Sequence, residues 1–337
     1  MTNLAPSAPL ASERPTDPLF SVVVPVYNEE ACVSEMVSRL KSVFGAANKR
    51  WELIFVDDGS GDQTLARVRE LARNDEHVQY LSFSRNFGHQ LALTAGIDNA
   101  YGDAVITLDG DLQHPPELIP TLIERWMQGY DVVYTVRVSN RGHPVKEFVS
   151  KLYYWLLRKL TGVDVASGGA DFRLLDRKVA DALRACRERN IFVRGLVPWL
   201  GFSRFAVPYD AAERFGGETK YVTRRMLRFA LDGVLSFSII PLRLIAWLGA
   251  LTVSLGVLYG VYTLCMRLFT DHTASGWTSL MVVILVFSGT QLLSLGILSE
   301  YVGRIYEEVK QRPRYVVGAT SSRIRRRLTE TTACDPR

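Results

Sequence analysis

The chain has 337 residues, of which 47% are hydrophobic and 22% charged, so it can hold one sizeable catalytic domain and a smaller unit. Its net charge of +5 suits a nucleic acid, an anionic membrane or a phosphorylated substrate, and charge alone does not choose between them. The four cysteines are scattered without Cys-x-x-Cys spacing, which argues against a zinc site and a disulfide framework.

Short β-branched runs alternate with helical patterns from Phe20 onward, which is typical of strands joined by helical crossovers in a parallel sheet. The preceding residues 1–19 are rich in Pro, Ala and Ser and lack the apolar core of a secretory signal, so we predict a disordered tail and a folded domain that starts in the cytoplasm. Ligand-binding residues are expected at the carboxyl ends of the strands. The predicted strands are residues 20–26, 51–56, 78–83, 104–108 and 131–135.

Two stretches near the C-terminus, residues 244–266 and 277–299, contain no charged residue. At 1.5 Å per residue each would form a helix of about 34 Å, enough to cross a bilayer, so we predict two transmembrane helices rather than a buried helical hairpin. Lys and Arg occur on both flanks but not in the linker 269–276, which indicates cytoplasmic ends. We therefore expect a multi-pass protein of the inner (cytoplasmic) membrane with its catalytic domain in the cytoplasm.

The same patterns divide the chain into a tail (1–19), a catalytic domain (20–235), a two-helix membrane domain (236–305) and a basic cytoplasmic tail (306–337). Within the catalytic domain, residues 145–160 and 221–237 show an apolar face at helical spacing. Such helices can lie in a membrane interface or pack on the sheet, and both alternatives stay open for these two segments.

An acidic motif, LDGDLQHPPE at residues 108–117, follows the fourth predicted strand. Asp109 and Asp111 can direct two carboxylates to one hard cation that also holds phosphate oxygens, and Gln113 can add a neutral oxygen. The alternative is an acidic turn that caps the next helix. His89 and His114 have no second histidine nearby in the sequence, so we expect them to act as local hydrogen-bonding groups.

Two further polar motifs follow predicted strands: PVYNEE at residues 25–30 and VDDGS at residues 56–60. The ring of Tyr27 can stack on a base, and Asp57 or Asp58 can accept hydrogen bonds from a base imide or a ribose hydroxyl. Each motif alone is common in turns and helix caps. Three polar loops after successive strands together favour a ligand site at this edge of the sheet.

Residues 20 to about 235 resemble a GT-A, family-2 glycosyltransferase, whose catalytic domain has a Rossmann-like, mostly parallel sheet. With the motifs above, SRNFGHQ (84–90), ADFRLLDR (170–177), RFGGETKY (214–221) and the two apolar helices resemble the polyprenyl-phosphate branch. That branch includes GtrB-like glucosyltransferases and dolichyl-phosphate mannose synthase. The resemblance implies Mg²⁺ or Mn²⁺ at Asp109, Asp111 and Gln113, and a homotetramer.

The resemblance also assigns candidate roles to individual residues. It implies a nucleotide-sugar site at Pro25, Tyr27, Asn28, Glu29, Asp57, Asp58, Asp109, Gly110 and Arg137. It implies catalytic roles for Asp111 and for Asp171, the proposed base, although an acceptor phosphate is largely a dianion at neutral pH and needs little proton abstraction. The acceptor and diphosphate would contact Arg141, Lys146, Arg173, Arg214 and Lys220.

The expected reaction is transfer of a hexose, most simply glucose from a UDP-sugar, to undecaprenyl or another polyprenyl phosphate, with inversion. The expected partners are these two substrates and the membrane, with no nucleic acid. One alternative is a GDP-mannose-dependent mannosyltransferase. A processive polysaccharide synthase fits less well, because Leu122 stands where the Gln of Q-x-x-R-W would precede Arg125 and Trp126. A non-catalytic membrane scaffold that keeps the fold is the remaining alternative.

Overall fold

One mixed sheet organises the larger of the two units into which the chain divides. The computed structural model describes residues 14–137, 169–186, 188–189, 191–209, 240–269 and 276–326. The first unit comprises Met1–Thr223 and Pro313–Arg337, and the second comprises Arg224–Arg312.

Within these described ranges, the sheet of the first unit has eight strands in the order β7-β5-β6-β4-β1-β2-β3-β8. The pairs β1–β2, β1–β4, β2–β3 and β5–β7 are parallel, whereas β6 runs antiparallel to β4 and β5, and β8 antiparallel to β3. The predicted, mostly parallel sheet and its five strands are confirmed. The strands are β1 (Leu19–Val26), β2 (Arg50–Asp57), β3 (Val78–Phe83), β4 (Ala104–Thr107), β5 (Val132–Arg137), β6 (Gly169–Asp176), β7 (Arg204–Tyr209) and β8 (Val317–Thr320).

Helices connect the first strands in the expected alternation. In α1 the buried residues Val33, Met36, Val37, Leu40 and Phe44 recur at helical spacing, so one apolar face packs on the sheet. This face joins a core in which Trp126 and Phe20 meet edge to face, with ring centroids 5.5 Å apart. The helices of the first unit include α1 (Val33–Ala47), α2 (Thr64–Asn74), α3 (His89–Asp98), α4 (Ile119–Met127), α5 (Arg177–Ala185) and α6 (Val193–Trp199).

Residues at both ends of the first unit pack on this domain. Arg14, which falls in the predicted tail 1–19, pairs with Asp131 and Asp176, and its guanidinium lies 4.7 Å from the ring centre of Trp126. In the predicted basic tail 306–337, β8 extends the sheet beside β3, and the Ile324 side chain is fully buried. The sequence patterns gave no sign of either set of contacts.

The second unit contains two long helices, α7 (Ile240–Phe269) and α8 (Trp277–Val309). Within the part of the chain that the structure describes, one stretch, Leu242–Tyr262, is long and apolar enough to cross a membrane. The second predicted span, 277–299, lies in α8 and stays a prediction. The two amphipathic segments, 145–160 and 221–237, lie outside the described residues.

Candidate functional site

Parallel pairing of β1, β2 and β4 brings three polar loops to one edge of the sheet. Val26 at the end of β1 pairs with Asp57 at the end of β2, and Val23 pairs with Thr107 at the end of β4. The residues that follow these strands, which include Tyr27 and Asp109, therefore begin at the same edge. This is the edge that the sequence predicted for the ligand site.

Loops 27–30 and 57–63 are tied together by backbone amides. Asn28 takes a left-handed φ of 56°, its N–H donates to Ser60 Oγ at 3.0 Å, and its Oδ1 accepts from the Gly61 N–H at 2.9 Å. The Glu29 N–H donates to Thr64 Oγ1 at 2.9 Å. The Tyr27 side chain is left 48% exposed, so its ring is available for stacking on a planar group.

Both aspartates of the VDDGS motif are buried and bonded by protein donors. Asp57 accepts from the Ser60 N–H at 3.1 Å and from Ser82 Oγ at 2.7 Å. Asp58 accepts from the amides of Phe87 and Gly88, at 2.7 and 2.9 Å. Burial raises the pKa of Asp58, although the two amides work against this rise. These contacts join loops 27–30, 57–63 and 84–88, which we call the loop group.

The segment Asp109–Asp111, which we call the acidic segment, lies directly against the end of β1. A Cβ atom on Gly110 would lie 2.9 Å from Val26 Cγ1 and 3.0 Å from the Pro25 carbonyl oxygen, so only glycine fits without displacement. Asp111 Oδ1 accepts from the Gln113 N–H at 3.2 Å. This close approach fixes the segment that carries the predicted metal ligands.

Neighbouring groups place Glu29 and Arg137 beside this segment. Burial, together with the charges of Glu29 and Asp111, raises the pKa of the Cys32 thiol to about 11. Arg137, at the end of β5, donates to Gln113 Oε1 at 3.4 Å. Gln113 therefore links the Asp109–Asp111 segment to the end of β5, and Cys32 lies near both Glu29 and Asp111.

A cluster of charged side chains lies beside the acidic segment, and we call it the ion cluster: His89, Asp171, Arg173 and Arg194. Asp171 Oδ1 accepts from Arg173 at 2.8 Å, and Arg194 donates to both Asp171 oxygens at 2.8 Å. Burial by itself would raise the pKa of Asp171, but Arg194, His89 and Arg173 together hold it well below its usual range. An aspartate held ionised in this way is a weak proton acceptor.

His89, the first residue of α3, lies between the carboxylates of Asp109 and Asp171. Its Nε2 lies 3.5 Å from Asp109 Oδ1 and 3.4 Å from Asp171 Oδ2. Burial lowers the pKa of His89, but the hydrogen bond to Asp171 and the charge of Asp109 outweigh burial and raise it overall. The predicted local hydrogen-bonding role of His89 thus extends across the site.

Among the residues that the structure describes, two sets could hold a divalent cation. One ligand atom from each of His89, Asp109 and Asp171 lies within 4.8 Å of the others. Two arginines already occupy both Asp171 oxygens, and their charges oppose a cation there. The side chains of Asp109 and Asp111 are hard oxygen donors that suit Mg²⁺ or Mn²⁺, and Asp109 is 26% exposed. The chemistry of the donors therefore favours the predicted acidic segment.

The structure brings most predicted site residues together at this edge. Arg141, Lys146, Arg214 and Lys220 lie outside the described residues. Arg194 and Tyr209 are close to the site and were absent from the predictions. No local pattern marks Arg194, whereas alternation in Phe205, Val207 and Tyr209 would have indicated β7 and its strand end.

Comparison with known proteins assigns the family. The family model described as Glycosyl transferase family 2 matches residues 21–184, and that of the GtrB C-terminal hairpin matches residues 240–305. The chain is 48% identical over 299 residues to the uncharacterized glycosyltransferase YkcC of Bacillus subtilis (88% of this chain, 93% of that protein).

Two other relatives align over a similar length. An uncharacterized glycosyltransferase of Synechocystis sp. is 41% identical over 299 residues (88% of this chain, 94% of that protein). The bactoprenol glucosyl transferase of Shigella phage SfV is 39% identical over 300 residues (88% of this chain, 97% of that protein). The chain therefore belongs to glycosyl transferase family 2 and is a glycosyltransferase that carries the GtrB C-terminal hairpin.

Proposed function

We propose that this enzyme transfers glucose from UDP-glucose to a polyprenyl phosphate, with inversion, at the cytoplasmic face of the membrane. The observation that carries the proposal is the pairing of an acidic strand-end site with a GtrB-type hairpin in one chain. Relatives named bactoprenol glucosyl transferase align over 88% of this chain. A lipid acceptor accounts for the hairpin, because a long polyprenyl chain does not leave the bilayer.

The donor would lie across the loop group and the acidic segment. Tyr27 would stack on the base, and Gly110, whose backbone packs closely on Val26 and Pro25, would hold Asp109 and Asp111 at the diphosphate. Asp109 and Asp111 would hold Mg²⁺ or Mn²⁺, with Gln113 as a neutral ligand; a bound ion would offset the negative charge that builds up on the leaving diphosphate. Arg137 stands beside this segment and would add positive charge near the diphosphate.

The acceptor phosphate would approach from the ion cluster. One of its oxygens attacks the anomeric carbon, the bond from that carbon to the diphosphate oxygen breaks, and its electron pair leaves with UDP. The phosphate has already lost its protons near pH 7, so Asp171 would hold Arg194 and His89 in place rather than remove a proton. A single displacement inverts the anomeric configuration.

Membranes that contain the full-length enzyme, undecaprenyl phosphate and a panel of labelled sugar nucleotides would test this proposal. We expect lipid-extractable label from UDP-glucose, a β-linked product from the α-linked donor, and no product with Asp111→Asn. Label from GDP-mannose would instead identify a mannosyltransferase. Label in a polymer or on a water-soluble acceptor would contradict the lipid acceptor.

The proposed orientation can be tested separately. In a cysteine-free background, a single cysteine placed between residues 271 and 275 should react with an impermeant reagent outside sealed cells, whereas one at Ser60 should not. External labelling at Ser60 would contradict the cytoplasmic catalytic domain. The homotetramer implied by the resemblance is tested by the mass of the solubilised enzyme.

A further inference from the structure

A buried chain of hydrogen bonds runs from β7 to the acidic segment. The Tyr209 hydroxyl lies 2.7 Å from His114 Nδ1, and His114 Nε2 lies 3.0 Å from Asp109 Oδ2. Tyr209 and His114 are only 5% and 6% exposed. The proposed reaction assigns no role to either residue, and their contacts end on a proposed metal ligand.

The direction of each hydrogen bond follows from the chemistry of its ends. A carboxylate only accepts hydrogen bonds, so His114 donates its Nε2–H to Asp109. With that proton on Nε2, Nδ1 is the acceptor that faces the Tyr209 hydroxyl, 2.7 Å away, and the hydroxyl donates to it. Burial, with the charges of Asp109 and Asp111, raises the pKa of Tyr209 despite a hydrogen bond from Arg137, so this hydroxyl keeps its proton.

We propose that Tyr209 is a positioning residue that acts through His114 to orient the Asp109 carboxylate for the divalent cation. With Oδ2 committed to His114, Asp109 would use Oδ1 for the cation, and Oδ1 lies 3.5 Å from His89 Nε2. Removing a hydrogen-bond partner of a metal ligand typically lowers metal affinity or activity 10- to 100-fold. This inference rests on the metal role proposed above for Asp109.

The topology explains how a distant residue reaches this position. β7 runs parallel to β5 at the edge of the sheet, and Tyr209 pairs with Arg137 at the strand ends. His114 packs against two rings, with centroids 5.6 Å from Tyr209 and 5.8 Å from Phe172. These rings restrict the imidazole, and the hydrogen bond to the Tyr209 hydroxyl fixes its orientation.

The hydrogen-bond directions are tested on the full-length enzyme in detergent micelles, without metal, donor or acceptor. In ¹⁵N spectra of histidine-labelled protein, the signals that disappear in His114→Gln belong to His114. We expect protonated Nε2 and hydrogen-bonded, unprotonated Nδ1, with the Nδ1 signal moving when Tyr209 is replaced by Phe. A protonated Nδ1 in the parent enzyme, or an Nδ1 signal that does not move, would overturn the proposal whether or not the proposed reaction is correct.

Cation affinity is tested by a double-mutant cycle. The free Mn²⁺ signal in electron paramagnetic resonance, with UDP present, gives the Mn²⁺ affinity of each variant. Tyr209→Phe should weaken Mn²⁺ binding about tenfold in the parent enzyme and have almost no further effect in His114→Leu. His114→Gln, which keeps a donor for Asp109, should bind Mn²⁺ more tightly than His114→Leu.

Tyr130→Phe is the matched control, because it also removes a tyrosine hydroxyl near β7. The Tyr130 ring packs on Phe205 of β7, the strand that carries Tyr209, with centroids 5.0 Å apart. This variant should leave both the His114 signals and Mn²⁺ binding unchanged. An equal loss of Mn²⁺ affinity from Tyr209→Phe in both backgrounds would mean that Tyr209 does not act through His114, and would overturn the proposal.

Discussion

The loop group and the ion cluster meet at one edge of the sheet but are held by different interactions. In the loop group, buried Asp57 and Asp58 accept hydrogen bonds from neutral backbone and hydroxyl donors. In the ion cluster, Asp171 is held by charged side chains. The first arrangement fixes the conformation of the loops, whereas the second places charged groups beside the acidic segment. Substitutions should therefore affect mainly stability in the loop group and mainly transfer in the ion cluster.

The largest effect is expected in the acidic segment that separates the two regions. Asp111→Asn should lower transfer about 1000-fold, equivalent to about 4 kcal/mol, because the proposed metal site loses one of its two carboxylates. Transfer by the purified variant at saturating Mn²⁺ is the measurement. Asp181→Asn, at an exposed position on α5, is the control and should retain full activity. Near-normal transfer by Asp111→Asn would contradict the metal assignment.

Asp171→Asn tests the role of the ion cluster in transfer. Binding of the nucleotide-sugar should stay near normal, while transfer to polyprenyl phosphate should fall about 100-fold, as for loss of a contact that matters in the transition state. A base role predicts partial recovery as the pH rises past the second pKa of the phosphate, about 6. The low pKa of Asp171, which results from its arginine partners outweighing burial, leads us to expect no recovery. Loss of donor binding would place Asp171 on the donor side instead.

The two regions also differ in how far their residues could be predicted from the sequence. Strands with evident apolar runs end at or shortly before Asp57, Asp58, Asp109 and Asp111, and parallel pairing then brings these residues together. Asp171 sits within β6, which enters antiparallel between β4 and β5, so no strand-end rule points to it. The role of Asp171 in the site was predicted only because ADFRLLDR resembles a family motif.

Arg194 shows the limit of such reasoning most clearly. It lies 23 residues from its partner Asp171, in the first turn of a short helix. No pattern in the surrounding sequence indicates a functional role for its charge. Its position follows from how α6 packs beside α5 and from the hydrogen bond that the Val193 N–H donates to Gln90 Oε1. Bonding partners were also beyond prediction in the loop group: VDDGS indicated two ligand-binding aspartates but not that protein donors would occupy both.

The pH dependence of stability should run in opposite directions in the two regions. Burial raises the pKa of Asp58, so the folded state binds its proton more tightly than the unfolded state, and this contribution to stability is lost as the pH rises through the folded pKa. The pKa of Asp171 is lowered, because its cationic partners outweigh burial. Its contribution is therefore present above the unfolded value of about 4 and is lost as the pH falls.

Melting temperatures from pH 2 to 8 would measure this contrast. Relative to the parent enzyme, Asp58→Asn should gain stability as the pH rises above about 4, and Asp171→Asn should lose stability as the pH rises toward about 4, where Asp171 ionises in the unfolded chain. Parallel curves for the two variants would show that the two carboxylates are held in the same way.

The smallest effect is expected where the C-terminal segment supports the loop group. Tyr315 stacks on Phe83 with centroids 4.9 Å apart, and its hydroxyl lies 3.3 Å from Asp98 Oδ2. Phe83 in turn meets Phe87 of the loop group edge to face, at 5.5 Å. Tyr315→Phe keeps the ring and removes one hydrogen bond, so it should cost about 0.5 to 1 kcal/mol of stability and leave the affinity for nucleotide-sugar unchanged.

Tyr315→Ala removes the ring as well and should cost about 3 kcal/mol, because the stacking contact and its buried area are lost. If the C-terminal segment holds the loop group in shape, this variant should also bind nucleotide-sugar several-fold more weakly, since Phe83 would no longer be fixed against Phe87. Thermal melting and equilibrium binding of the labelled donor would measure the two effects. Unchanged donor affinity in Tyr315→Ala would show that the hydrogen bonds to Asp58 suffice to hold loop 84–88, and would confine the role of the C-terminal segment to stability.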